Sequence, residues 1–118
     1  MPETAAPSEA KVYFVNLKSG DTVSSPVKVV MGLSGMGIAP AGIEFPQTGH
    51  HHLIIDAPTP PAAAVIAADA NHVHFGKGQT ETSIELAPGK HTLQLVLGDC
   101  NHVPHKPAVV SDVITITV

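Results

Sequence analysis

Three observations predict an all-β fold, an antiparallel immunoglobulin-like β-sandwich of about seven strands. Apolar side chains recur at every second position in several short stretches, Gly- and Pro-containing turn signals separate those stretches, and nothing supports a long helix. "KVYFVNL", Lys11 to Leu17, reads as the first strand and "SGD" as the turn after it. "SPVKVVMGLSG", Ser25 to Gly35, carries a β-branched strand with Pro26 at its start, where a missing N–H is tolerated. "MGIAPAGIEFPQTG" reads as a Gly/Pro loop and "HHHLIID" as the next strand. "APTPPAAAVIAADAN" is a connection whose three prolines confine any helical turn to its second half. "HVHF" is short and extended, "ETSIELAPGKHTLQLVLGD" gives two strands about a Pro-Gly turn, "NHVPHKPAVVSD" is a loop, and "VITITV" closes the chain.

The 118 residues suit one domain, taken as 11–118, preceded by a flexible tail over 1–10, "MPETAAPSEA". A hydrophobic share of 43% is enough for a core that forms without metal or disulfide. The six basic residues are all lysine and the net charge is −4. With no basic footprint and no guanidinium, a nucleic-acid partner is excluded. Four aromatics and no Trp argue against a sugar-stacking platform. No apolar run approaches the roughly 20 residues that a bilayer-spanning helix needs, and Cys100 has no cysteine to pair with.

Eight histidines against ten carboxylates is the compositional oddity. Side chains alternate faces along a strand, so His50 and His52 share one face while His51 shares the other with Leu53 and Ile55. His72 and His74 form a second H-x-H pair, with Val73 and Phe75 directed toward the core. His102 and His105 lie in the loop "DCNHVPHKP". Imidazole is neutral near pH 7 and is the commonest metal ligand, and two histidines at i and i+2 can turn onto one ion. His50, His52, His72, His74, His102 and His105 are therefore the candidate metal ligands. Imidazole suits several ions; copper is the expected one and zinc the alternative. Affinity is expected to weaken below about pH 6.5, where free imidazole protonates.

The remaining groups have plainer readings. His51 is expected to bond a backbone carbonyl, and His91, in phase with Leu93, Leu95 and Leu97, to cap a core strand. Met36 reads as core filler or a soft ligand, and Asp56 and Asp99 as turn residues or as acceptors that fix a histidine tautomer. No G-x-S-x-G, P-loop, C-x-x-C or H-E-x-x-H motif is present, so no catalytic residue is assigned.

The blocks "GLSGMGIAPAG", "TGHHHLIID", "NHVHFGKGQTET", "LAPGKHTLQLVLGD" and "NHVPHKPAVVSDVITITV" resemble, in chain order from about Val12 to Val118, the bacterial domain of unknown function 4399. The resemblance implies an exported, periplasmic or secreted β-rich domain and implies no activity. Cys100 and the bland Ala/Pro stretch at 57–68 depart from the family's pattern. "NHVHFGKG" is also similar to the H-x-H strand of copper–zinc superoxide dismutase, but that family's disulfide and channel arginine have no counterpart here. Two functions from different classes lead, ahead of a third, a metal-dependent enzyme. The first is a periplasmic histidine-rich metal-binding module, a carrier, buffer or sensor, acting as a monomer or weak dimer. The second is an immunoglobulin-like module that binds a periplasmic protein and uses its histidines as a metal-free polar cluster.

Overall fold

The computed structural model describes residues 4–118. Among them are eight strands and no helix: β1 (Lys11–Phe14), β2 (Val27–Ser34), β3 (Gly37–Ile38), β4 (Thr48–Ile55), β5 (His72–His74), β6 (Glu81–Ile84), β7 (Lys90–Gly98) and β8 (Ile114–Thr117). One sheet has the order β1-β2-β6. The other has the order β3-β4-β7-β8, with β5 also paired to β4. The all-β, two-sheet architecture is the one the alternating pattern predicts. The extra strand is β3, two residues hidden in the Gly/Pro loop, which pairs with the start of β4 in parallel rather than antiparallel fashion.

The core fills the space between the sheets. Val12, Val27, Val29 and Met31 come from the first sheet; Leu53, Ile55, Leu93, Leu95, Leu97, Ile114 and Ile116 come from the second. Period-two alternation accounts for this set, because each strand sends every second residue inward. Val73 and Phe75 join the core as expected, and Met36 packs against it.

The alternate residues of β4 and β7 form a second, outer face. Ile54 and Val96 lie there and are sealed by Ile66 and Ala57. Ile66 belongs to the connection 57–71, which forms no helix and runs across the sheet. Its backbone N–H donates to the His102 carbonyl at 2.8 Å, and Thr59 Oγ1 donates to Gln94 Oε1 at 2.7 Å. A segment that reads as a bland linker therefore covers the histidine-bearing face.

The N-terminal stretch is docked where it is described. Ala5 bridges Lys106 in parallel, Ala6 N–H donates to Lys106 O, and Lys106 N–H donates to Thr4 O. The expected flexible tail over 1–10 meets these contacts in its later part; residues 1–3 lie outside the described residues.

Candidate metal centre

β4 supplies two of the site's rings. His50 stands opposite Gly98 of β7, and His52 stands between Val96 of β7 and His74 of β5, so His50, His52 and His74 share the outer face. The turn after β7 supplies a fourth ring. Asp99 Oδ1 accepts the backbone N–H groups of Asn101 (2.8 Å) and Val103 (3.1 Å), and the Asp99 carbonyl accepts that of His102 (3.0 Å). This folds 99–103 back over the sheet, with His102 in the left-handed region at φ 61°. Histidine adopts that conformation more readily than most residues, though at some cost.

Three ring nitrogens converge. Nε2 of His50 lies 2.9 Å and Nε2 of His52 lies 3.1 Å from the same atom, Nδ1 of His102. His50, His52 and His102 each offer a ring nitrogen within 4.8 Å of those of the other two, close enough to hold a metal ion. Ligand nitrogens at tetrahedral angles around zinc sit about 3.3 Å apart, so the His50–His102 and His52–His102 pairs each need to open by only a few tenths of an ångström. The His74 ring lies 4.3 Å from that of His52 and stacks on His102 at 4.5 Å, centroid to centroid. Its Nε2–H donates to the Ala67 carbonyl at 2.6 Å, which leaves Nδ1 as the bare nitrogen. Ligating histidines commonly make such a bond with the remote nitrogen.

Hydrogen bonds alone satisfy this cluster poorly. One Nδ1 faces two Nε2 atoms, and a single lone pair or single proton there makes one good bond, not two. Among the described residues, the buried side-chain N and O atoms without a partner are five imidazole nitrogens: two in the cluster, Nδ1 of His50 and His52, and three outside it, Nδ1 of His105 and both nitrogens of His51. Native interiors rarely leave such atoms unpaired, and each one costs about 1–3 kcal/mol.

The electrostatics oppose protonation. Burial, then the neighbouring rings of His102 and His74, lower the His50 pKa to about 4. Burial, then His50, His74 and His102, lower that of His52 to about 2. His102 is lowered by burial and by His74, against an opposing pull from Asp99. The cluster is thus a set of neutral imidazoles with lone pairs available at neutral pH.

The other two candidates are not brought to this point. His72 shares the sheet face but donates from Nδ1 to Asp69 at 2.7 Å. His105 is buried against the start of β4, with Nε2 3.3 Å from the Thr48 carbonyl. A Cβ added at Gly49 would meet the His105 ring, which places it on the side of β4 away from His50 and His52. His51 makes no carbonyl bond. It is 0% exposed with both nitrogens unpaired, because strand alternation turns it to the core side, where no acceptor meets it. His91 sits at the end of the sheet, donating from Nδ1 to Asp56 at 2.6 Å and from Nε2 to the Ala87 carbonyl at 2.7 Å. Two donated N–H groups describe an imidazolium, and its pKa is raised by Asp56 and then by that carbonyl.

Asp99 is the turn residue that one of its two sequence readings offers, capping the loop that carries His102, whereas Ile66 was not singled out by the sequence. The one available signal for Ile66 was that a large aliphatic pair, Val65-Ile66, interrupts a run of alanines; Ile66 is buried and Val65 exposed. Cys100 is half-buried, its thiol is free, and its carbonyl accepts the Gly42 N–H.

Fold and site together define a class: an all-β two-sheet domain with a buried cluster of neutral imidazoles close enough to hold a metal ion. The chain belongs to the DUF4399 family (domain of unknown function), whose model matches residues 29–118. That span includes every histidine discussed above. No curated protein and no solved structure matches the chain.

Proposed function

We propose that the domain is a periplasmic metal-binding module that holds one copper ion as a carrier, buffer or sensor. The carrying observation is the convergence of His50 Nε2, His52 Nε2 and His102 Nδ1. His74 is the fourth ring of the site. Its Nε2 is already held by a carbonyl, so Nδ1 is the nitrogen it offers to an ion. Imidazole-only ligation supports copper or zinc over magnesium or calcium, which take oxygen ligands. Location in the periplasm rests on the family resemblance.

Transport or sensing fits better than catalysis. His50 and His52 are fully buried, and no group in the site is assigned as a catalytic acid or base. The rival reading is a metal-free histidine cluster in a protein-binding module, favoured by the contacts of 2.9 and 3.1 Å that already lie in the hydrogen-bond range.

Untagged protein titrated calorimetrically with Cu(II), with Cu(I) under reducing anaerobic conditions, and with Zn(II) decides between them. The expected result is one equivalent of copper, with three or four imidazole nitrogens by X-ray absorption. Absence of stoichiometric binding for all three ions would establish the metal-free reading.

A further inference from the structure

Asp99 is the carboxylate that closes the turn carrying His102, and it is built in rather than exposed. It is buried at 3% exposure. Its Oδ1 accepts from the N–H groups of Asn101 and Val103, and its Oδ2 accepts from Thr4 Oγ1 at 2.8 Å. Its own N–H donates to the Val103 carbonyl at 2.9 Å, closing the turn that carries His102.

We infer that Asp99 is the positioning residue and the counter-charge of the metal centre, and that the N-terminal segment Thr4–Ala6 is the strap that holds it in place. Imidazole ligands bring no negative charge, so at a site where His50 and His52 are fully buried the charge of a bound ion is left uncompensated, and charge buried without a partner is strongly disfavoured. A fixed carboxylate bearing on the cluster relieves this. Its position comes from the turn and the strap. Thr4 bonds the carboxylate directly, and residues 4–6 pair with Lys106 beyond the His102 turn, so the segment ties together the residues on either side of that turn in sequence.

The inference rests on the metal-binding reading and adds a signature that a merely structural aspartate lacks. The Coulomb energy between a carboxylate and an ion scales with the ion's charge. Removing one negative charge therefore weakens a divalent ion by about the square of the factor for a monovalent one. Asp99→Asn retains an oxygen for the Asn101 and Val103 N–H groups and can still meet the Thr4 hydroxyl. Its affinities for Zn(II) and Ag(I), the latter a redox-inert monovalent probe, are compared with those of the unaltered chain. The expected result is a fall of about fivefold for Ag(I) and about twenty-five-fold for Zn(II).

Thr4→Val provides the second measurement. It removes the strap's bond but keeps the charge, so both ions should weaken by the same modest factor, with faster amide exchange at Asn101 and Val103 in the metal-free protein. Equal factors for both ions in Asp99→Asn, or no change in either, overturn the counter-charge. Unchanged affinity and exchange in Thr4→Val overturn the strap. An unaltered chain that binds neither ion overturns the metal reading and this inference together, whereas normal binding with a charge-independent effect overturns this inference alone. Should Asp99→Asn fail to fold, the Thr4→Val arm still decides: a changed Zn(II)-to-Ag(I) ratio there contradicts the division of roles.

Discussion

Gly98 lies against the imidazole of His52: a Cβ added at Gly98 would overlap ring atoms Cε1 and Nδ1. Gly98 is not in a left-handed conformation, so alanine fits the backbone and the clash is with the ring alone. Gly98→Ala should push His52 away from His102, lower metal affinity at least tenfold, and cost about 1–3 kcal/mol through overpacking. Gly37→Ala is the control, since its Cβ would make only an ordinary contact of 3.6 Å with Thr48. Metal titration and urea unfolding of the two variants check this. Retained affinity in Gly98→Ala would show that His52 does not ligate.

The six candidate histidines should divide by position. His50→Ala, His52→Ala and His102→Ala each remove one of the converging nitrogens and should abolish stoichiometric binding. His74→Ala should weaken it. His72→Ala should leave affinity within about twofold, because that ring is bonded to Asp69 at the far end of β5. His105→Ala should also spare binding while lowering stability, by about 1–3 kcal/mol, because a buried ring is lost from the side of β4 away from His50 and His52. Calorimetry on the set, with circular dichroism to confirm folding, measures both quantities.

Much of this arrangement was legible from alternation alone. Strand parity put His50 with His52 and His72 with His74, and turned Val73 and Phe75 inward. What parity cannot give is the path of the irregular segments. His102 reaches the cluster only because the 99–103 turn adopts a left-handed residue and a carboxylate-capped closure, whereas His105, three residues on, is carried to the other side of β4. Period two has no meaning in such a loop. Likewise, Asp69 captures His72 through a local turn, and Ile66 anchors the 57–71 connection over the outer face. Both depend on contacts that no spacing rule encodes.

Acid should unfold the metal-free domain early. The folded pKa values of His50 and His51 are lowered to about 4, His51 by burial, and that of His52 to about 2. Unfolded histidine titrates near 6.5. Between about pH 6.5 and 4 the unfolded chain therefore binds more protons than the folded one, and stability falls as pH falls. The His91–Asp56 pair works in the opposite sense. The raised His91 pKa contributes stability that is present below about 6.5 and lost as pH rises through the folded value. That pair is partly solvated, so its effect is the smaller. Urea midpoints at pH 7.5, 6.0 and 5.0 should decline in that order. The same lowered values shift the metal's proton competition. Affinity of the folded protein should hold through pH 6.5 and decline only nearer pH 4–5, later than free imidazole would allow. A loss centred on pH 6.5 would place solvent-exposed histidines in the site instead.

The middle member of the His50-His51-His52 triplet should behave unlike its neighbours. His51 is fully enclosed, shares its side of β4 with Leu53 and Ile55, and makes no hydrogen bond from either ring nitrogen. Its N–H is thus buried without an acceptor and its bare nitrogen without a donor, a state that costs about 1–3 kcal/mol relative to paired groups. Leucine has a similar volume, no polar atom and no proton to gain. His51→Leu should therefore be neutral or stabilising by about 1–2 kcal/mol at pH 7.5, reduced from the full figure by imperfect repacking. At pH 5.0 the gain should be larger, because His51, whose pKa burial lowers to about 4, no longer contributes to acid unfolding. Metal affinity should be unchanged, since the ring lies on the other side of the strand from His50 and His52. Urea unfolding at the two pH values and one copper titration test all three statements. A destabilised variant with intact metal binding would mean that His51 has a polar partner in solution. A stable variant that had lost the metal would mean that β4 turns its middle ring toward the ion.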